Sequence, residues 1–360
     1  MKHWLETRQV LDRARHLTRA GKRAALATVV GLRGSAYRRE GAKMLVAEDG
    51  SSVGNVSGGC LEQDVREVAA QVLTAGTSQF RSYCSGSDQI EAWDLGLGCD
   101  GQVDVFVEPL TDPRGIERDL LDGRRAFAAC SAIRGPAGFL ARRLVVTDTT
   151  VTGAIHPEVD ARAVTAARER LASGQSGTVA IGECSVLLDV LRPPPRLFLF
   201  GAGDDAIPLA RAAAETGFHV VVVDYRRGYV TADRFPGAAA LVAADGSEGL
   251  GTLGLDGDSF AVVMTHNFAH DQAYVGSLLS AGVRYIGVLG PRARHDRMLQ
   301  NLPPVGAKAA ERLYGPVGLD LGTDGSEQVA LAVVAEVLAV RSGRTPRALR
   351  DRASPIHGDA

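Results

Sequence analysis

The chain has 360 residues, a formal net charge of −2 and a hydrophobic share of 45%. The balanced charge gives no global case for nucleic-acid binding, and the hydrophobic share is enough for a sizeable core. The five cysteines include no CxxC pair, which favours a reducing compartment over a disulfide framework. Because neither a signal peptide nor a membrane-spanning apolar run is visible, we expect a cytoplasmic protein.

The first part of the chain has the pattern of an αβ unit. Residues 4–20 have helical spacing that ends at Gly21, and residues 24–30 read as a buried strand. A basic, glycine-rich loop over 31–41 follows, and then a hairpin turns at Asp49-Gly50. The later elements are predicted as strands over 43–47, 52–56, 80–84 and 103–107 and a helix over 61–73.

The hairpin leads into the turn Gly54-Asn55-Val56-Ser57-Gly58-Gly59-Cys60-Leu61-Glu62. This spacing places Cys60 at or just before a helix start, where unpaired N–H groups and the helix dipole favour an anion such as a thiolate. Gly58 and Gly59 have no side chains, so a ligand can approach the backbone closely. The alternative is a tight strand-to-helix turn that ends in a small buried cysteine.

The next segment repeats this pattern. Residues 123–128, 143–146 and 151–155 match 21–26, 43–46 and 52–56, and a helical run over 164–171 follows. We therefore predict two similar αβ halves packed in one domain. The second half has Ile155-His156-Pro157-Glu158 where the first has the glycines and the thiol, so these are additions to one half.

Three prolines in Arg192-Pro193-Pro194-Pro195-Arg196 form a stiff connector, after which strands alternate with helices. A predicted strand over 197–200 runs into Gly201-Ala202-Gly203-Asp204-Asp205-Ala206, and a second strand ends at Asp224. This is the GxGxxA pattern of dinucleotide-binding folds, with an acid about 20 residues further on. Asp224 is predicted to bind a ribose diol; the alternative is a cap at the strand end.

Two acidic residues weaken the prediction of an ordinary dinucleotide site. Asp204 and Asp205 stand where phosphates would approach, so either the ligand brings a cation or the site does not bind a dinucleotide in the ordinary way. Later strands are predicted over 240–243, 260–264 and 285–289, with a last helix over 326–341. Open α/β sheets bind ligands at strand carboxyl ends, so four side chains are predicted to face the crevice: His266, Asn267, Asp271 and Arg292.

Seven motifs occur in order from about residue 24 to residue 343: GxVSGGCLE, GLGCxG, PPPRL, GAGxxA, THNxxxD, YIGxLGxR and GPxGLDxG. In this order they resemble the XdhC/CoxI family. The resemblance implies a maturation factor for molybdenum hydroxylases of the xanthine dehydrogenase or CO dehydrogenase type. Such a factor binds the molybdenum cofactor, as molybdopterin or its dinucleotide, supports its sulfuration by a cysteine desulfurase and inserts it into the apo-enzyme.

The resemblance also implies site residues. Cys60 and Cys99 lie in matching motifs and would be soft ligands or sulfur relays, with Cys60 a candidate molybdenum ligand. Arg38, Arg39 and Lys43 would meet the phosphate of the cofactor, or else form a solvated loop face. The cofactor-binding residues inferred in full are Ser57, Gly58, Gly59, Cys60, Glu62, Cys99, Arg38, Arg39, Lys43, Gly201, Gly203, Asp224, His266, Asn267 and Arg292.

Three positions depart from the family pattern. Asp204 stands where the family has His, Tyr37 where it has Pro and Pro291 where it has Ser. Two of these positions lie in the nucleotide domain, so they weaken the case for a dinucleotide role more than the case for the thiol site.

The predicted fold is α/β, with an XdhC/CoxI αβ domain over residues 1–190 and a Rossmann-like parallel sheet over 191–345. The halves of the first domain fall at about 1–110 and 111–190, and a tail over 346–360 is expected to be disordered. The paired halves and the apolar first helix favour a homodimer.

Three functions compete at this point. The first is a cofactor-binding chaperone without turnover, the second an NAD(P)-dependent oxidoreductase, and the third a small redox or metal-binding module centred on Cys60 and Cys99. No convincing hydride-transfer site supports the second, and a whole additional domain argues against the third.

Overall fold

The computed structural model describes residues 2–34, 38–84, 101–112, 114–244, 250–302 and 307–352. The chain forms two compact units, Met1–Pro193 and Pro194–Ala360. The predicted turn around Cys99 and residues 35–37 of the basic loop lie outside the described ranges. Within those ranges, no helix combines the length and the apolar character that a membrane crossing requires.

Unit 1 contains two five-stranded antiparallel sheets of the same strand order, β3-β2-β1-β5-β4 and β8-β7-β6-β10-β9. The first half comprises α1 (Lys2–Arg19), β1 (Ala24–Gly34), β2 (Lys43–Ala47), β3 (Ser52–Gly54), α2 (Glu62–Ala75), β4 (Gln79–Cys84) and β5 (Gly101–Pro109). The second comprises α3 (Gly115–Asp122), β6 (Phe127–Arg134), β7 (Arg143–Val146), β8 (Val151–Ala154), α4 (Pro157–Ser173), β9 (Gly177–Ile181) and β10 (Cys184–Leu191).

Residues 24–30 of strand β1 are buried on both faces, which explains why this part of its sequence is a continuous apolar run. Alternate residues, Ala25 and Ala27 among them, pack in the core that includes α2, whereas Leu26 packs in a cluster with α1. The two sheets contact each other through a third cluster formed by Val30, Phe106, Ile133 and Leu187. Each half therefore buries one sheet face under its own helix and contributes the other face to a shared interior.

Unit 2 is a parallel sheet of order β13-β12-β11-β14-β15-β16. Its strands are β11 (Arg196–Phe200), β12 (His219–Asp224), β13 (Ala240–Ala243), β14 (Phe260–Val263), β15 (Tyr285–Val288) and β16 (Leu313–Tyr314). Its helices are α5 (Ala206–Glu215), α6 (Phe268–Ser280), α7 (Arg292–Asn301), α8 (Ala307–Ala310) and α9 (Ser326–Ser342). The order reverses between β11 and β14, and the crevice at their carboxyl ends is the usual ligand site of such sheets.

The predicted α/β fold with a Rossmann-like parallel sheet is confirmed. Most predicted elements end within two or three residues of their observed bounds, but the strand predicted over 52–56 stops at Gly54 because a turn begins there. A 3-10 turn at Leu349–Asp351 lies near the end of the described residues.

Candidate functional site

The two halves of unit 1 close the turn after their third strand in the same way. Glu62 accepts hydrogen bonds from the N–H groups of Val56, at 3.2 Å, and Ser57, at 2.8 Å. Asp160 accepts the equivalent bonds from Ile155, at 2.8 Å, and from the following residue. A carboxylate that reaches back to the strand end is therefore a shared structural feature, and Glu62 has this role whatever else it does.

The two turns differ in length and in helical content. Residues 57–61 separate Val56 from Glu62, whereas only residues 156–159 separate Ile155 from Asp160. Helix α4 starts at Pro157, before its carboxylate, but helix α2 starts at Glu62 itself. The first half therefore lacks the initial helical turn that the second half has, and an irregular turn over 57–61 takes its place.

Ser57 organises this irregular turn. Its hydroxyl donates to Glu62 Oε2 at 2.6 Å and accepts from the N–H groups of Gly59 and Leu61, each at 3.1 Å. Burial raises the pKa of Glu62, but the hydrogen bonds from Ser57 and the strand end outweigh it and hold the pKa below its ordinary value. The Sγ atom of Cys60 lies 3.6 Å from the same hydroxyl oxygen.

This arrangement leaves two N–H groups for a ligand. The N–H groups of Gly58 and Cys60 have no acceptor among the residues that the structure describes. Gly59 has a φ of 122°, and a Cβ there would find no atom within 4 Å, so the space beside it is open. Free N–H groups ahead of a helix start are suited to binding an anion.

Among the described thiols, Cys60 alone combines such a turn with partial exposure. Cys84 is exposed at the end of β4, whereas Cys130 and Cys184 are buried. Burial raises the pKa of Cys130 to about 12, which keeps it a neutral thiol. In the described ranges no three His, Cys, Asp or Glu side chains are close enough to hold a metal ion, and the predicted second thiol, Cys99, lies outside these ranges.

Two of the three side chains predicted to bind a phosphate form ion pairs with protein carboxylates. Arg38 forms a two-point ion pair with Glu6 of α1. Lys43 is only 9% exposed and pairs with the buried Asp189 of β10. In this arrangement both charges join parts of unit 1, so a phosphate would have to compete with Glu6 and Asp189 for them. Arg39 is exposed.

In unit 2, the glycine turn after β11 is tightly built. Gly201 has a φ of 123°, and a Cβ there would come within 2.5 Å of the Met264 carbonyl oxygen, so a side chain is excluded. Asp205 Oδ2 lies 2.8 Å from His266 Nε2. The Asp205 carboxylate also lies over Gly203, where a Cβ would meet its Oδ1 at 2.8 Å. A protein carboxylate therefore stands where the phosphates of a dinucleotide would approach.

Asp224 is fully buried and already has four hydrogen bonds. It accepts from the Ala202 N–H at 2.7 Å and from the backbone N–H, Nε and Nη2 of Arg226 at 2.8 to 3.0 Å. Burial raises the pKa of Asp224, but these bonds outweigh it and hold the pKa below its ordinary value. The carboxylate is therefore not available to a ribose diol in this arrangement, and the alternative of a strand-end cap describes it.

The other predicted crevice residues have local roles. His266 has a φ of 60°, an uncommon conformation for a residue other than glycine, and its ring is largely exposed. The Asn267 side chain caps α6 by accepting from the N–H groups of Ala269 and His270. Arg292 is exposed at the first position of α7, and Arg294 instead pairs with the buried Asp271 at 2.6 Å.

Comparisons with known proteins cover most of the chain and agree with one another. The XdhC and CoxI family profile matches residues 17–84, and the XdhC Rossmann domain profile matches residues 197–337. A relative from Bacillus subtilis (strain 168), described as a probable subunit of xanthine dehydrogenase, is 34% identical over 322 residues, which cover 88% of this chain and 93% of the relative. The chain belongs to the XdhC/CoxI family.

Two further similarities extend over most of the chain. The molybdenum cofactor insertion chaperone PaoD of Escherichia coli (strain K12) is 25% identical over 338 residues, 93% of this chain and 88% of PaoD. A crystal structure described as a xanthine dehydrogenase from Bacillus halodurans has 29% identity and a TM-score of 0.76, and the match covers 93% of this chain and 96% of that one.

In this XdhC/CoxI family member an arginine pairs with one of the two acids that were predicted to repel a phosphate. Asp204, one of the departures from the family pattern, pairs with Arg234 at 2.9 Å, and Arg234 also donates to the Ala202 carbonyl. Pro291, another departure, precedes α7, and Tyr37 lies outside the described residues.

Arg226, Arg234 and Arg294 were not identified from the sequence. Only Arg226, two residues after Asp224, had a local signal.

Proposed function

We propose that this protein is a chaperone that binds the molybdenum cofactor and delivers it to a molybdenum hydroxylase of the xanthine dehydrogenase or CO dehydrogenase type. Family membership supports the proposal. So do the names of two relatives, since one refers to xanthine dehydrogenase and the other to cofactor insertion. In this proposal the cofactor is cargo, and the protein catalyses no turnover of its own.

The observation that carries the proposal is the irregular turn over 57–61. The second half has a helical turn at the equivalent place, so the fold does not require the glycines or the thiol of the first half. An unwound helix start costs backbone hydrogen bonds, and a ligand that uses the freed N–H groups would offset this cost. Such a ligand is anionic, and a thiol beside it suits a soft metal or sulfur centre.

The residues fit the cargo in chemical class. The cargo has a phosphate, for which the N–H groups of Gly58 and Cys60 are suitable donors, and a metal–sulfur centre, for which Cys60 is a suitable soft contact. Cys99 is the second thiol in this proposal. A cysteine desulfurase, which installs the terminal sulfur on the bound cofactor, and a second copy of the chain are the further partners that we propose.

An NAD-dependent oxidoreductase has less support. Its cofactor needs a free carboxylate for the ribose diol and an open glycine turn for the pyrophosphate. Asp224 already accepts four hydrogen bonds, and the Asp205 carboxylate covers Gly203.

The test is Cys60→Ser, with Cys84→Ser as the matched control. Each variant is purified without air from a molybdate-supplemented host and assayed for molybdenum, pterin and activation of an apo xanthine dehydrogenase. We expect Cys60→Ser to stay folded, because the change is nearly isosteric, but to lose cargo and activation, and Cys84→Ser to keep both. If Cys60→Ser retains wild-type cargo and activates the client, the thiol is structural and the assignment fails.

A further inference from the structure

A cluster of aromatic rings and guanidinium groups lies beside the carboxyl end of β12. The rings of Tyr225 and His270 are nearly parallel, with centroids 4.1 Å apart. The Arg226 guanidinium lies 5.3 Å from the Tyr225 ring and 4.0 Å from the Tyr229 ring. The Arg234 guanidinium lies 5.1 Å from the same Tyr229 ring. Two guanidinium groups therefore share one tyrosine at the edge of the Rossmann crevice.

Both guanidinium groups retain donors. An arginine has five N–H donors, and Arg226 uses its Nε and one Nη2 hydrogen on Asp224. Arg234 uses Nη2 on the Ala202 carbonyl and on Asp204, while its Nε is buried and has no acceptor in the described part of the chain. The ion pairs fix the orientation of both groups, and they leave the Nη1 hydrogens of both side chains as the donors for a ligand.

We propose that Arg226 and Arg234 bind a phosphate monoester on the 2′-oxygen of the ribose of a nucleotide, and that Arg226 selects such a nucleotide over one with a free ribose diol. The end of the second strand is where dinucleotide folds contact the ribose. A diol would need an acceptor there, but Asp224 is buried and saturated. A guanidinium fork matches the oxygens of a phosphate instead, and the Tyr229 ring supports its plane.

The glycine turn restricts this ligand further. Because the Asp205 carboxylate, held by His266, covers Gly203, a pyrophosphate at the turn must displace it. A nucleotide whose only phosphate is on the 2′-oxygen of the ribose avoids that repulsion. Adenosine 2′-monophosphate is therefore the simplest probe, and 5′-AMP, which places its phosphate at the turn, is the contrasting one.

The experiment is calorimetry on the full chain with adenosine 2′-monophosphate, 5′-AMP, NADP and NAD. We expect adenosine 2′-monophosphate to bind about tenfold more tightly than 5′-AMP, and NADP about tenfold more tightly than NAD, as one or two charge-assisted hydrogen bonds would give. Arg226→Ala should abolish this preference. Arg226→Lys, which keeps a charge beside Asp224 but loses the fork, should weaken it severalfold and serves if the alanine variant does not fold. Arg227→Ala, which changes the exposed residue next to Arg226, should leave the preference unchanged.

Two results would overturn the inference. One is equal affinity for adenosine 2′-monophosphate and 5′-AMP in the wild-type chain, or no binding of either. The other is a 2′-phosphate preference that survives in both Arg226 variants. Asp205→Gly provides an internal check, since it should improve NADP binding and leave adenosine 2′-monophosphate binding unchanged. The inference concerns unit 2 and does not rest on cargo binding at Cys60, so either proposal can fail alone.

Discussion

Replacing Lys43 by Met removes one member of a buried ion pair in unit 1. Lys43 and Asp189 are 9% and 4% exposed. Asp189 also lies 2.7 Å from His3 Nε2 and accepts a 3.4 Å hydrogen bond from Ser176. Burial raises the pKa of Asp189, but the charges of Lys43 and His3 outweigh it and hold the pKa below its ordinary range.

Removing one partner of such a pair leaves an uncompensated buried charge, at a cost of about 3–5 kcal/mol. His3 remains beside Asp189, so we expect the lower end, about 3 kcal/mol, in the free energy of unfolding. Lys22→Met is the matched control because Lys22 forms the same kind of pair with Asp49, but with both side chains more than 40% exposed. That change should cost about 0.2–1 kcal/mol.

Urea unfolding followed by circular dichroism measures both variants, with the unit 1 transition analysed separately if the two units unfold apart. Adding Asp189→Leu to Lys43→Met should recover much of the loss, because it removes the buried charge. If the two lysine variants lose equal stability, the Lys43–Asp189 pair does not stabilise the fold more than an exposed pair does. That result would favour the prediction that Lys43 binds a phosphate.

Two further predictions concern carboxylates of unit 1. Glu62→Gln and Asp160→Asn should each lower the free energy of unfolding in urea by about 2 kcal/mol, because each weakens charge-assisted bonds to a strand end. Only Glu62→Gln should also reduce cargo binding. Equal cargo loss in both variants would mean that the effect comes from a general loss of stability. The pKa of Asp189 is lower in the folded state, so its contribution to stability is complete above the unfolded value of about 3.9 and is lost as pH falls below it. Urea unfolding between pH 6 and pH 3 should show a smaller pH dependence in Lys43→Met than in the wild-type chain.

The features that sequence predicted well are those encoded locally. The GxGxxA turn follows β11 because a strand, a glycine at φ 123° and a helix are adjacent in the chain. The repeat was visible because both halves share strand order and the turn after the third strand. Comparison of the two halves also pointed to Cys60, since the second half lacks the glycines and the thiol.

The features that sequence could not predict are side-chain pairings between distant residues. Lys43 and Asp189 are 146 positions apart, and no local pattern indicates that the basic residue is buried. Asp224 fits the position of a ribose-binding acid, but its own neighbour Arg226 occupies it. In both cases the residue type suggested a ligand contact, but another side chain of the protein already pairs with its charged group.

The most direct test of cargo binding at the turn replaces part of it with the equivalent residues of the second half. Replacing Gly58-Gly59-Cys60 with Pro157-Glu158 of the second half should restore the helical start and keep the hydrogen bonds of Glu62. The measurement is the molybdenum and pterin content of this protein and of the wild-type chain, both purified without air from a molybdate-supplemented host. We predict a folded protein without cargo; wild-type cargo content in the exchanged protein would contradict the assignment of this turn as the binding site.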